Sequence, residues 1–171
     1  MRFNLIVILF LFISNMGIAQ PSINELPTDQ YEQIRIKGVL FVDIKNTYGN
    51  ILEMEKLLGK AEVSVSGKEI GEETREFKYE NGLQISFGDF DLKNDKPELF
   101  YLKTNNIFIK NVNLSIGNSI EKLGKDIIFN KDKDGSFSIM FTHMNGDCCP
   151  MIIEFDQQTK KIISIEYFVW T

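Results

Sequence analysis

The stretch His143-Met144-Asn145-Gly146-Asp147-Cys148-Cys149-Pro150 holds the sole histidine of this 171-residue chain and both of its cysteines. Residues of these types support three chemistries. A thiolate nucleophile takes a histidine as base and a carboxylate to orient it, here Cys149, His143 and Asp147. Three soft ligands, His143, Cys148 and Cys149, begin a zinc site if they converge. Two neighbouring thiols can close a disulfide if the backbone lets their sulfurs meet.

Which chemistry is open depends on where each side chain points, and that is set by the hairpin around them. An earlier stretch, Tyr79-Glu80-Asn81-Gly82-Leu83, has the same form. There a three-residue loop, a type I turn closed by a glycine bulge, opposes Tyr79 to Leu83 and Phe77 to Ile85 and keeps the apolar residues on one face. The same loop at Met144-Asn145-Gly146 opposes His143 to Asp147, Thr142 to Cys148, Phe141 to Cys149 and Ile139 to Met151. Phe137, Ile139, Phe141, Cys149, Met151 and Ile153 then share one apolar face. Cys149 enters the core, Cys148 points outward, and His143 sits at the mouth of the apolar face. Neighbours on a strand face opposite sides, so this register argues against a Cys148–Cys149 disulfide and against a metal site. It leaves Cys149, His143 and Asp147 as the one catalytic arrangement, with Cys149 opposite Phe141 rather than in the open, electropositive setting of a reactive thiol.

A second candidate is Asn130-Lys131-Asp132-Lys133-Asp134-Gly135, which imitates the opening of a calcium loop. The twelfth position, where a bidentate glutamate belongs, is Phe141, and strands rather than helices are predicted on either side. An Asp/Gly-rich turn explains the same residues. No cofactor is expected, since nucleotide-binding loops, paired-histidine motifs and Gly-x-Ser-x-Gly are absent from the sequence.

The elements that position these residues recur along the chain. Residues 34–45 (IRIKGVLFVDIK) alternate like a half-buried strand. Asn50 is placed as a helix N-cap, with Glu53 at the third position and Gly59 past the end, and Ile51, Met54 and Leu58 fall on one face. A hairpin at 75–87 and an apolar strand at 99–104 follow. The same order returns as a strand at 107–116, a two-turn helix capped by Asn118 and closed by Gly124, a hairpin at 137–155 and a strand at 162–170. Gly49 to Gly117 and Asn81 to Asn145 give a spacing of about 65 residues, the size of a supersecondary unit that shares a core with its copy. Residues 66–76 and 88–98 read as charged loops.

The N-terminus reads as a secretory signal peptide over residues 1–19: Arg2, an apolar run from Leu5 to Ile13, and small residues Gly17 and Ala19 before the cut. That run is too short to span a membrane. Residues 20–33 form a polar, proline-containing lead-in. Formal net charge is −5, and loss of Arg2 makes the processed chain more acidic, which argues against nucleic acid or anionic lipid as partner.

The helix pattern Gly-Asn-x-[Leu/Ile]-Glu … Leu-Gly-Lys followed by an antiparallel hairpin resembles small exported tandem-repeat modules of the SmpA/OmlA and β-lactamase-inhibitor-like group. That resemblance implies protein binding or envelope scaffolding. Lys60 and Lys125 stand where those modules often have proline, and no lipid-attachment cysteine follows the predicted cut.

The expectation is an α+β fold: two tandem β-α-β-β-β repeats, 34–105 and 106–171, forming antiparallel sheet with short helices on one face. The expected function is an exported, non-enzymatic module of the periplasm or cell exterior that binds a protein partner. Cys148, Tyr101, Phe168 and Trp170 are its candidate contacts. A thiol-dependent enzyme using Cys149, His143 and Asp147 and a calcium-stabilised envelope protein are the alternatives.

Overall fold

In the computed structural model, residues 22–67, 73–91, 96–131, 135–144 and 149–170 are described, so the predicted leader lies outside the described residues. The larger of two sheets runs β1 (Asn24–Leu26), β11 (Phe137–His143), β12 (Met151–Phe155), β13 (Ile162–Trp170), β7 (Lys96–Lys103), β6 (Gln84–Asp91), β5 (Thr74–Lys78), β4 (Glu62–Ser66). A two-residue strand β10 (Asn130–Lys131) also pairs with β11. All pairings are antiparallel except β1 with β11. The second sheet has four short strands in the order β3 (Val39–Leu40), β2 (Arg35–Ile36), β8 (Asn106–Ile109), β9 (Val112–Ser115). The fold is α+β, with antiparallel sheets predominating.

Period-two alternation places one face of the large sheet inward. Phe77, Ile85, Phe87, Phe100, Leu102, Tyr167, Phe141 and Ile153 from that face are buried in one cluster with Ile34, Ile36, Phe41, Ile44, Met54, Ile107, Ile109, Leu114 and Leu123. The second group comes from the small sheet and the helical segments, which cover the core face. Opposite them, Ser64, Glu76, Ser86, Tyr101, Glu166 and Phe168 occupy the outer face at the alternate positions of their strands.

Residues 34–45 do not form one strand. Lys37 and Gly38 both have positive φ (53° and 82°) and make a two-residue hairpin between β2 and β3, and the chain then enters α2 (Phe41–Asn46). Phe41 and Ile44, three apart, are the residues this helix buries, so the 40/42/44 alternation was coincidental with a helical period. Residues 107–116 fold in the same way, with Lys110 and Asn111 (φ 50° and 61°) turning between β8 and β9. Both positions of such a two-residue hairpin need positive φ, which Gly38 and Asn111 favour and Lys37 and Lys110 adopt beside them.

From residue 22 the lead-in contains regular structure: β1 pairs with β11, and α1 (Thr28–Tyr31) follows. β4 and β5 shorten the first predicted loop, 66–76, from both sides, as β6 and β7 shorten the second.

The helix predicted at Asn50 is α3 (Ile51–Leu58), and the Asn50 side chain accepts from Leu52 N and Glu53 N at 3.1 and 3.2 Å. Its one fully buried residue is Met54; Leu58 packs partly against the core and Ile51 stays exposed. The second helix is a 3₁₀ turn, Ile120–Leu123, whose cap is Ser119 and not Asn118. Asn118 instead accepts from Lys122 Nζ at 2.9 Å. In topology, β4–β5–β6–β7 and β10–β11–β12–β13 are two antiparallel meanders that meet antiparallel at β7 and β13.

Candidate functional site

The first hairpin forms as its sequence predicts. Phe77 pairs with Ile85, Tyr79 N donates to Leu83 O at 2.9 Å, and Gly82 (φ 80°) closes the three-residue loop.

The second hairpin does not. Its ladder pairs Phe141 with Met151, Ile139 with Ile153 and Phe137 with Phe155, a shift of two residues from the predicted register. A shift of two keeps every side chain on its face, so the predicted core residues Phe137, Ile139, Phe141, Met151 and Ile153 are all buried. The predicted pairing would have put Pro150 opposite Met140 inside the ladder, where its missing N–H forfeits a bond. The ladder instead begins one residue later, at Met151.

Cys149 is therefore not a strand residue opposite Phe141. It is half-buried against the core, with φ 72°. It is also disulfide-bonded, which corrects its reading as a free core thiol and removes the thiolate that a Cys149 nucleophile requires. The other cysteine in the sequence is its neighbour Cys148. Cys148 and Asp147 lie outside the described residues, as do Asp132 and Asp134 of the calcium-like segment. The alternation that argued against joining neighbouring cysteines does not hold at Cys149, because its backbone is left-handed rather than extended. Among the described residues, no group of three or more His, Cys, Asp or Glu side chains could hold a metal ion.

His143 ends β11. Its Nε2 is 3.0 Å from Thr28 Oγ1, and its ring packs edge-on to Tyr31 at 5.2 Å. Tyr31 hydrogen-bonds Tyr167, and Lys45 Nζ donates to Tyr167 Oη at 3.3 Å. The Lys45 ammonium also lies 5.2 Å from the centre of the Tyr167 ring and 5.7 Å from that of Phe41. Burial lowers the Lys45 pKa and raises those of Tyr31 and Tyr167, with the Tyr31 contact raising Tyr167 further. Both phenols thus keep their protons at neutral pH, and Tyr167 Oη serves as an acceptor for Lys45. The cluster ties α1 and α2 to β11 and β13. Sequence reading missed it because its members come from residues 28–31, 45, 143 and 167, with no local spacing to betray them.

On the outer face, the β7–β13 seam brings together two of the residues named as contacts. Phe168 pairs directly with Tyr101, ring centroids 6.4 Å apart and planes inclined at 62°, and Phe168 is 41 % exposed. Trp170 pairs with Leu99 through its backbone; its side chain lies outside the described residues. The next pair on that face is Lys103 with Glu166, an ion pair at 2.8 Å. Glu166 hydrogen-bonds Lys103 and raises its pKa; desolvation, then Glu166, raises that of Tyr101. The outer face thus carries an aromatic pair beside a satisfied ion pair at the β7–β13 seam.

No helix among the described residues is long and apolar enough to cross a membrane. The chain matches no protein-family profile, no characterised protein and no solved structure.

Proposed function

We propose that this protein is an exported, non-enzymatic module that binds a protein partner through the outer face of its large sheet. The observation that carries the reading is Phe168, 41 % exposed against Tyr101 at the centre of an open sheet. Aromatic side chains with a polar surround supply most of the energy in protein interfaces. The acidic charge turns the face toward protein rather than nucleic acid, and the resemblance to SmpA/OmlA-like and β-lactamase-inhibitor-like modules points the same way.

The scaffold, in this reading, arose by duplication of a unit of about 65 residues. What supports it is the repeated succession of hairpin, short helix and four-stranded meander. So does the placement of the Leu102–Tyr167 pair at the seam, with Tyr101–Phe168 on one side and Lys103–Glu166 on the other.

The test is capture from native cell envelope and from culture medium by the immobilised chain from Gln20 onward, which contains every described element. Proteins retained by the unaltered chain are expected to lose about tenfold in affinity with Phe168→Ala or Tyr101→Ala, the size of an interface hot spot. Equal retention by these variants would sink the outer face as the binding surface.

A further inference from the structure

The two ends of the large sheet are built differently. At one end β11 is covered by β1, three residues followed by Pro27, and by the two-residue β10. Short strands and proline are the usual means of keeping a sheet edge from pairing further. At the other end lies β4, Glu62–Ser66. It pairs with β5 on one side only among the described residues, in unbroken register, and all five of its residues are exposed. It contains no lysine, no proline and no bulge.

Its side chains divide cleanly. Val63 and Val65 pair with Phe77 and Arg75 on the core face, and they remain 36 % and 49 % exposed. Glu62, Ser64 and Ser66 take the outer face. The sequence Glu-Val-Ser-Val-Ser is nearly palindromic about Ser64. Placed antiparallel against a second copy, it sets Val63 opposite Val65, Ser64 opposite Ser64 and Glu62 opposite Ser66. No glutamate then meets a glutamate, and the valine stripe continues across the seam on one side. A parallel two-fold arrangement would turn the two valine faces to opposite sides.

We propose that β4 pairs with β4 of a second copy of this chain about a two-fold axis through Ser64, perpendicular to the sheet, so that two nine-stranded sheets become one. The contact is isologous and closes at a dimer. It adds a strand-to-strand backbone ladder and two Val–Val pairs, the pairwise unit that stabilises sheets. It lies at the edge of the sheet, four strands from the Tyr101–Phe168 seam, so it stands whatever that face binds.

Light scattering and sedimentation of the chain from Gln20 onward, over roughly 5 to 500 µM, read the association directly. The expected result is a concentration-dependent species of twice the single-chain mass. Val65→Lys, which leaves the core untouched, should weaken it at least about tenfold by burying a charge at each Val–Val position. Under mild oxidation Ser64→Cys should form a disulfide-linked dimer, joined through the introduced thiols, at least about fivefold faster than Ser66→Cys, because only position 64 faces itself. A single-chain mass throughout the range overturns the proposal. So does a dimer indifferent to Val65→Lys, or cross-linking of Ser64→Cys no faster than of Ser66→Cys.

Discussion

The chain reverses at Tyr79–Leu83 and again at His143–Cys149, with matching strands on both sides and different solutions at the turn. Phe77 opposite Ile85 corresponds to Phe141 opposite Met151, so Tyr79 corresponds to His143 and Leu83 to Cys149. In the first turn a glycine, Gly82, takes the left-handed backbone at φ 80°. In the second, two residues longer, Cys149 has φ 72° while disulfide-bonded and followed by Pro150. A non-glycine residue held there costs about 1–2 kcal/mol and persists only where its surroundings over-determine it. One turn avoids backbone strain; the other accepts it beside a covalent bond.

The largest expected effect comes from giving the first turn the strain that the second already bears. At Gly82 an added Cβ would overlap Asn105 Nδ2, which donates to Asn81 O at 2.8 Å. Gly82→Ala therefore combines left-handed strain with loss of a hydrogen bond that braces the loop. The expected destabilisation is about 2–3 kcal/mol, a fall of about 6–10 °C in Tm for a domain of this size. A Tm within about 2 °C of the unaltered chain would show that the first turn is as tolerant as the second.

Tyrosines sharpen the comparison from inside the core. Tyr79 is 6 % exposed and its hydroxyl has no hydrogen-bond partner among the described residues, whereas the Tyr167 hydroxyl is bonded to Lys45 and Tyr31. An unpaired buried hydroxyl is a cost and a paired one a gain. Tyr79→Phe should thus stabilise by about 1 kcal/mol and Tyr167→Phe destabilise by about 1 kcal/mol, opposite signs for one chemical change. Burial pushes the Tyr79 pKa up to about 12. An unfolded tyrosine loses its proton near pH 10, so the unfolded state binds fewer protons between pH 10 and pH 12. Stability present below pH 10 is lost across that window at about 1.4 kcal/mol per pH unit for each such group. Tyr167 adds to the loss, and Lys45, whose pKa is lowered, partly offsets it. Denaturant titrations at pH 9 and pH 11.5 should show a shallower alkaline fall in Tyr79→Phe. An unchanged fall would assign the effect to Tyr167 and other groups.

These residues also mark how far the sequence could be read. Faces were legible, because period two survives a shift of two: Phe137, Ile139, Phe141, Met151 and Ile153 were placed inward although their partners were misassigned. Local caps and turns were legible where one residue acts on its neighbours, as Asn50 and Gly82 do. At residues 34–45 the alternation fitted a strand and a hairpin-plus-helix equally, and only contact with β8 and the large sheet separates them. The position of Cys149 is not legible from the first hairpin, because the second turn is longer and Pro150 follows the cysteine. The Lys45–Tyr167–Tyr31–His143 cluster left no trace in sequence, since four distant segments build it. Tyr101 and Phe168 stand out in the sequence as aromatics on apolar strands, but their direct pairing requires the β7–β13 register.

The smallest expected effect concerns the second turn itself. With Cys148 as the other cysteine in the sequence, the loop that the Cys149 disulfide closes within one chain is the shortest possible. Chain-entropy stabilisation grows with the length of the loop closed and is minimal here. Cleavage of the bond should therefore leave Tm within about 2 °C, even though the turn around Cys149 changes locally. Alkylation followed by peptide mass mapping checks the premise: no thiol should react in the native or the denatured chain until a reductant is added, and both should react afterwards. A thiol that labels without reductant would show that the second turn is open, its left-handed Cys149 then standing without covalent support. A large loss of Tm on reduction would instead mean that the bond reaches beyond the turn, to another chain, and the contrast between the two reversals would become one of assembly rather than of backbone strain.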